Sequence, residues 1–326
     1  MRRYGPLIGV LLAFAVTAFA LVKVYEKGKD SDRLLDTQIP QETIDWINNL
    51  GNNLNDILSW FDPNPDQTPW GNQDDQGRDS TSVNAMHILE DELFAIYYKE
   101  ASQDRAEECL RYAHESIPRL AEICGKYYYP DEMHGRKVPI YLAHNQREYD
   151  EFLEKEFKIQ NRGETSGLCY FHISLNGFYL DAIFLNGRYV FDSHTYFKEV
   201  LCHEMTHYCF FASVNYYQYA KIPMWCYEGI AEYTAMPGKR PKFTKMEIAQ
   251  MRKQCDLTDD YFPYTYQNYT GGQSIFTFIE ERYQLQGVQH FVNDLYDEGV
   301  PASLKKNFSL SIKQFENQWK EALDTF

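Results

Sequence analysis

Upstream of a long helical region, short apolar runs in the chain alternate with turn residues. Residues 94–98 (FAIYY) and 138–143 (VPIYLA) are rich in aromatic and aliphatic side chains, which favours strands. Two further runs, 167–171 and 178–185, are bounded by Gly or Asn and predict strands as well. The pattern therefore predicts a small sheet.

The spacing of apolar positions also predicts several helices. Steps of three and four residues indicate helices at about 103–125 and 145–157. Asp192 and Ser193 offer N-caps for another helix over residues 195–212, and beyond it the pattern is mostly helical. Mixed strands and helices followed by helices alone predict an α+β fold.

Residues 1–30 form a targeting segment rather than part of the fold. Arg2 and Arg3 precede an uncharged run, 5–22, whose 18 residues would span about 27 Å as a helix, slightly short of a bilayer core of about 30 Å. Residues 18–20 (AFA) match the pattern that signal peptidase cuts. We therefore expect either a cleaved signal peptide or an uncleaved signal anchor. Either one makes the rest of the protein extracytoplasmic, as a secreted or a membrane-anchored domain.

Residues 31–82 separate this segment from the main domain. Within them, 40–61 carry apolar residues at helical spacing and predict an amphipathic helix that packs on the domain, on a membrane or on a partner. Its polar face has no Lys or Arg, which argues against an anionic membrane surface. Residues 62–82 are rich in Asp, Asn, Gln and Pro and predict a disordered linker. The main domain is thus expected at 83–326.

Charge and cysteine content exclude some classes of function. The 326 residues include 32 Lys and Arg against 47 Asp and Glu, and the net charge of −15 argues against a nucleic-acid partner. Contact with a membrane is expected only through the N-terminal segment. None of the seven cysteines forms C-x-x-C, so a cysteine zinc knuckle is not expected. Both buried free thiols and disulfides stay open, although an odd count leaves at least one cysteine unpaired within the chain.

A short motif in the predicted helix 195–212 has the pattern of a metal site. Residues 203–207 read HEMTH, and side chains four residues apart lie on one helix face, so both imidazoles can reach one ion. Glu204 projects to the side of such an ion, where a base can take a proton from water. Two histidines leave a catalytic zinc site one protein ligand short. The alternative is a buried helix with two ordinary histidines.

A second motif follows about twenty residues further on, where 223–233 read PMWCYEGIAEY. Together the two motifs resemble the gluzincin metallopeptidases, the His/His/Glu zinc family, in its Peptidase MA-like branch. The resemblance implies a zincin-like fold and one Zn²⁺ held by His203, His207 and Glu228. It makes Glu232 either an acceptor for a ligand imidazole or a solvated neighbour.

The resemblance extends weakly to other segments. Residues 268–276 (NYTGGQSIF) look like the segment that starts a helix in aminopeptidase-type relatives, which implies a Tyr269 hydroxyl aimed at the developing oxyanion. A purely structural role for Tyr269 is the alternative, because the chain holds 26 tyrosines. Residues 167–171 lie where the family's substrate-pairing edge strand runs, and 315–319 resemble its closing aromatic helix.

Departures from the family narrow the expected activity. The G-x-M-E-N amine anchor of true aminopeptidases is absent from the sequence, which favours an endopeptidase. His172 and His194 are not at ligand spacing and are expected to have ordinary polar or capping roles. The sequence has no G-x-S-x-G elbow, phosphate-binding glycine loop or Rossmann fingerprint.

The resemblance thus implies a zinc-dependent peptidase that acts on a peptide or protein substrate. Zinc would be held by His203, His207 and Glu228, with Glu204 as general base and Tyr269 as oxyanion donor. One alternative is a non-catalytic module that binds peptides or a partner on the same scaffold. The other is a coincidence of motifs in a structural domain.

Overall fold

The computed structural model describes residues 86–99, 102–125, 128, 137–157, 165–174, 177–214, 216–219, 221–259, 262–263 and 267–326. All of them belong to one compact unit that ends at Phe326. The predicted targeting segment 1–30, amphipathic helix 40–61 and linker 62–82 lie outside the described residues. Within the described part, no helix has both the length and the apolar character needed to span a bilayer.

A mixed five-stranded sheet has the strand order β1-β2-β3-β5-β4. β2, β3 and β5 run parallel, whereas β1 and β4 are antiparallel to their neighbours. The four predicted strands are confirmed, the last two are longer than predicted, and β1 was missed. β4 lies at one edge, and its pairing with β5 is irregular between Tyr170 and Phe171. The strand bounds are β1 His87–Glu90, β2 Phe94–Tyr98, β3 Val138–Ala143, β4 Gly167–Ser174 and β5 Gly177–Asn186.

The helices confirm the α+β prediction. Those predicted at 103–125, 145–157 and 195–212 appear as α1, α2 and α4, with no bound more than one residue from its prediction. The helix bounds are α1 Gln103–Cys124, α2 Gln146–Phe157, α3 Gly187–Val190, α4 His194–Ser213, α5 Tyr216–Tyr219, α6 Met224–Ala235, α7 Lys245–Gln254, α8 Gly272–Glu298, α9 Val300–Phe308 and α10 Ile312–Ala322. A π-helical turn, Gln267–Gly271, leads into α8.

Helices cover both faces of the sheet. Successive strand residues point to opposite faces, so Ile140 and Leu142 join the main core beneath α1 and α4, whereas Tyr141 packs with Phe152 of α2. Because neither face is left to solvent, VPIYLA is apolar almost throughout instead of alternating with polar residues. The sheet therefore gives α4 a rigid apolar support.

α4 is the central helix of the domain. It begins after Ser193, whose hydroxyl accepts a hydrogen bond from the Tyr196 backbone N–H at 3.2 Å, so this predicted N-cap is confirmed. Residues 201–211 are all buried, because the sheet lies against one side of the helix and α1 and α6 against others. A polar motif in so buried a helix needs partners from the neighbouring elements.

The C-terminal helices close the domain behind α6. The indole ring of Trp319 on α10 lies 6.1 Å from the ring of Phe262, which in turn stacks on Trp225 of α6 at 5.7 Å. Trp319 also donates a hydrogen bond to Ser274 of α8 at 3.0 Å. α10 thereby ties the start of α8 to α6, and these two helices carry the remaining site residues into place.

Candidate metal centre

α4 and α6 bring the three predicted ligands together. One ligand atom each from His203, His207 and Glu228 lies within 4.8 Å of the other two. The two Nε2 atoms are 3.0 Å apart, and Glu228 Oε2 lies 3.3 Å from His203 Nε2 and 3.4 Å from His207 Nε2. All three side chains are buried. This group could therefore hold a metal ion.

The spacing and the hydrogen bonding of these atoms fit a bound ion. Tetrahedral ligands with bonds of about 2.0–2.1 Å lie about 3.3–3.4 Å from one another, close to the observed distances. Glu228 Oε2 is buried, and among the described residues its contacts are the long ones to the two imidazoles, without a hydrogen bond of good geometry. An unsatisfied buried acceptor costs about 1–3 kcal/mol. An ion between the three atoms would satisfy this oxygen.

The charges around the centre also favour a cation. Burial lowers the pKa of His203, but a hydrogen bond to Glu228 and the nearby carboxylates outweigh it and raise that pKa to about 9. Burial raises the pKa of Glu228, but the two imidazoles outweigh it and lower that pKa to about 2. With Glu204 and Glu232, three carboxylates surround two imidazoles. This surplus of negative charge attracts a metal ion.

Glu232 lies on the far side of the His203 ring. Its Oε1 is 3.5 Å from His203 Nδ1, whereas Nε2 of the same ring points to the centre. Glu232 is on α6, one turn after the ligand Glu228. A carboxylate behind a ligand imidazole fixes the orientation of the ring and raises its basicity. This position favours the first of the two roles predicted for Glu232.

Glu204 is held beside the three ligand atoms by the edge strand. It is buried, and its carboxylate accepts a hydrogen bond from the Cys169 backbone N–H of β4. Burial raises the pKa of Glu204, against the lowering effect of the two imidazoles. The strand can lie this close because residue 167 is Gly: a Cβ there would lie 2.8 Å from Glu204 Oε1 and 2.9 Å from Val200 Cγ1. Glu204 is thus adjacent to the centre without being one of its ligands.

The π-helical turn brings Tyr269 to the same centre. The Tyr269 ring lies 5.9 Å from the His203 ring and almost parallel to it, with 19° between the planes. Its hydroxyl hydrogen-bonds to the Glu228 carboxylate, and burial, together with the surrounding carboxylates, raises the pKa of Tyr269. Tyr269 therefore lies beside the centre, and its hydroxyl stays protonated and can donate a hydrogen bond.

A cleft of about 320 Å³ opens onto the centre. It borders on His203, Glu204 and Tyr269, so a bound molecule can reach all three. Sequence analysis missed Tyr196 and Glu199, which also line the cleft. Helical spacing was the signal that could have found them, because they precede His203 by seven and four residues on one face of α4. The other lining residues are Thr165, Ser166, Gly167, Val200, Glu232, Ala235 and Met236.

The remaining histidine and cysteine predictions have different outcomes. His194 is exposed and its Nδ1 lies 2.5 Å from Glu108 Oε1, so it has the ordinary polar role that was expected. The side chain of His172 lies outside the described residues. All seven cysteines are buried free thiols in the structure, which is one of the two open alternatives.

Comparisons with known proteins add no relative. No family model matches the chain, and no curated protein gives a match. The gluzincin resemblance therefore stays a prediction from the motifs. What the structure shows is an α+β domain in which His203, His207 and Glu228 form a buried group able to hold a metal ion.

Proposed function

We propose that this protein is a zinc-dependent peptidase of the gluzincin type, with a zincin-like domain that acts as an endopeptidase. The observation that carries the proposal is the convergence of His203, His207 and Glu228 beside a buried carboxylate that is not itself a ligand. Two imidazoles and one carboxylate are a donor set of catalytic zinc sites, which keep a fourth position open.

Glu204 is the general base of the proposed reaction. When bound, zinc supplies Lewis-acid activation of water and of the scissile carbonyl. Glu204 accepts the proton of the attacking water and passes it to the departing amine. Its hydrogen bond from the Cys169 backbone fixes the carboxylate at the cleft. Burial, which raises the pKa of Glu204, brings it closer to neutrality and makes the carboxylate a better proton acceptor.

Tyr269 acts on the scissile carbonyl, whereas Glu204 acts on the attacking water. Its hydroxyl is protonated and lies at the cleft, so it can donate a hydrogen bond to the oxyanion that forms on the scissile carbonyl. In the structure this hydroxyl is bonded to Glu228. The donor must therefore exchange that carboxylate for the oxyanion when substrate is present.

The edge strand β4 is suited to hold the substrate. β4 stands at the end of the strand order of the described sheet, and a strand at a sheet edge can hold an extended peptide through main-chain hydrogen bonds. Gly167 of this strand packs against Glu204, and the Cys169 backbone N–H donates a hydrogen bond to its carboxylate. A peptide on β4 would therefore pass directly over the base, with chain continuing on either side, as an endopeptidase requires.

The test combines metal content with turnover. The full chain, purified in mild detergent because residues 5–22 are apolar, should contain about one zinc per chain and cleave casein. Chelator should abolish cleavage and added zinc should restore it. Glu204→Gln should keep the zinc and lose the cleavage. Zinc without turnover on any unfolded substrate would favour a binding module, and absence of bound metal would contradict both.

A further inference from the structure

Glu199 occupies a position in the cleft that the proposed reaction does not use. It stands one turn before His203 on the same face of α4 and lines the cleft. Its side chain is 16% exposed, so the carboxylate is largely removed from water and yet open to the cleft. A partly buried carboxylate in a cleft attracts cationic groups that enter the cleft and repels anionic ones.

The walls around Glu199 combine apolar surface with negative charge. Val200, Ala235 and Met236 supply the apolar part. Glu204 and Glu232 line the same cleft, and none of its described lining residues is Lys or Arg. A Lys or Arg side chain is complementary to these walls, because it has an apolar stem and a cationic head.

A cation of the protein itself already sits on Glu199. Lys239 forms an ion pair with the Glu199 carboxylate, and its own side chain is 52% exposed. Lys239 follows Gly238 in an exposed turn after α6. The φ of Gly238 is 72°, which favours glycine. The Lys239 end of the pair is half exposed, so water solvates much of this ammonium and screens the pair. A second cation can therefore replace Lys239 at little cost.

We propose that Glu199 selects substrates with a Lys or Arg side chain next to the cleaved bond. The stem of that side chain packs on Val200, Ala235 and Met236, and its head replaces Lys239 on Glu199. The selection of a cleavage site rests on the proposed peptidase function, whereas the binding preference is a property of the cleft itself.

Binding is therefore measured apart from turnover. The full-length Glu204→Gln chain, loaded with zinc, is titrated with fluorescent peptides that differ at one position, where Lys is replaced by norleucine or Glu. Norleucine has the length of the Lys stem without its charge. The Lys peptide should bind at least about tenfold more tightly than the norleucine peptide, and the Glu peptide most weakly.

Second substitutions identify the residue responsible. Glu199→Gln should bring the Lys-to-norleucine ratio to about one. Lys239→Gln should strengthen binding of the Lys peptide about threefold, because it removes the competing cation. Glu321→Gln removes the same charge from an exposed position on α10 that is not among the residues lining the cleft, and it should leave the ratio unchanged.

Cleavage by the wild-type chain separates this inference from the proposed function. Cuts beside Lys or Arg in a peptide library, lost in Glu199→Gln, would support both. No cleavage, but a Glu199-dependent preference in binding, would overturn the peptidase and support the inference. Cleavage without preference for Lys, or a preference that survives Glu199→Gln, would overturn the inference alone. Neither cleavage nor peptide binding would overturn both.

Discussion

Gly229 of α6 and Gly272 of α8 meet backbone to backbone. A Cβ on Gly229 would lie 2.5 Å from the Gly272 carbonyl carbon, and a Cβ on Gly272 would lie 2.2 Å from the Trp225 carbonyl oxygen. Glu228 directly precedes one of these glycines, and Tyr269 stands in the turn that leads into the other. The close crossing of α6 and α8 is therefore what places the Tyr269 hydroxyl on Glu228.

Gly229→Ala should push these two helices apart. The added methyl group meets main-chain atoms, which cannot rotate away, and overpacking of this kind costs about 1–3 kcal/mol or more. We expect a lower midpoint in urea unfolding and weaker metal binding. Gly271→Ala is the matched control, because its nearest neighbour beyond the adjoining chain, Met251 Sδ, is 3.5 Å away. Equal effects of the two substitutions would contradict the assigned role of the crossing.

Glu204→Gln should separate metal binding from catalysis. The amide has the shape of the carboxylate but cannot accept the water proton. We expect near-stoichiometric zinc and a fall in kcat of at least about a thousandfold, within the range of general acid–base catalysis. Metal analysis and kinetics on one preparation check both. Activity within tenfold of the wild type would rule out Glu204 as the base.

Tyr269→Phe should reduce kcat with little change in KM or zinc content. The carbonyl gains its full charge only in the tetrahedral state, and one donor to an oxyanion contributes about 3–4 kcal/mol, or a hundred- to a thousandfold in kcat. Tyr266 and Tyr233 are the alternative candidates for the oxyanion donor. Tyr266 lies outside the described residues, and the Tyr233 ring packs against the Arg119 guanidinium at 5.0 Å. Neither has a described contact with the centre.

Tyr227→Phe is the control for this comparison. The Tyr227 ring lies 5.9 Å from the His207 ring, as close to a ligand imidazole as Tyr269 is. Its hydroxyl bonds to Tyr219 instead of a ligand carboxylate. Tyr227→Phe should stay within a few-fold of wild-type kcat. A large kcat loss in Tyr227→Phe or Tyr233→Phe, with Tyr269→Phe near wild type, would move the oxyanion role away from Tyr269.

Zinc binding near neutral pH should release about one proton per chain, because the raised pKa of about 9 keeps His203 protonated without an ion, whereas a ligand imidazole is neutral. The proton competes with the metal below that pKa, so affinity should rise as pH rises toward about 9. Glu228, with a pKa of about 2, is already ionised and releases none.

Calorimetry in two buffers with different ionisation enthalpies measures this proton directly. The apparent binding enthalpy should depend on the buffer near pH 7, and the dependence should fade above a pH of about 9.5. A binding enthalpy that is the same in both buffers near pH 7 would show that His203 is neutral before the ion binds.

The apolar run at residues 5–22 should place the domain outside the cytoplasm. Protease added to intact cells or spheroplasts should then degrade the domain. A chain that lacks residues 1–30 should stay protected until lysis and serves as the control. Protection of the full-length chain in intact cells would contradict the predicted location.

Local spacing explains how much of the site could be predicted. His203, Glu204 and His207 lie within one helix, so the sequence defines their relative positions once α4 is recognised. Glu228 and Tyr269 come from other elements, and only the resemblance pointed to them. Their approach depends on tertiary packing that spacing along the chain does not encode.

The features that were missed depend on contacts between distant segments. The strand β1 has an exposed Ile88 and a weak apolar pattern, and it forms by pairing with β2. The π-helical turn Gln267–Gly271 has no sequence signature of its own. Gly167 looked like a turn residue, but its small size is needed because Glu204 and Val200 of α4 lie against it.

The irregularity between Tyr170 and Phe171 divides the pairing of β4 with β5 into two regular stretches, 167–170 and 171–174. A bulge bends the ladder where it occurs, so the straight stretch of β4 that lies beside Glu204 is 167–170, about 13 Å of strand. A peptide aligned there would be read over about four residues. Preference should therefore be concentrated in the side chains flanking the cut, and lengthening a short good substrate should improve its cleavage only slightly.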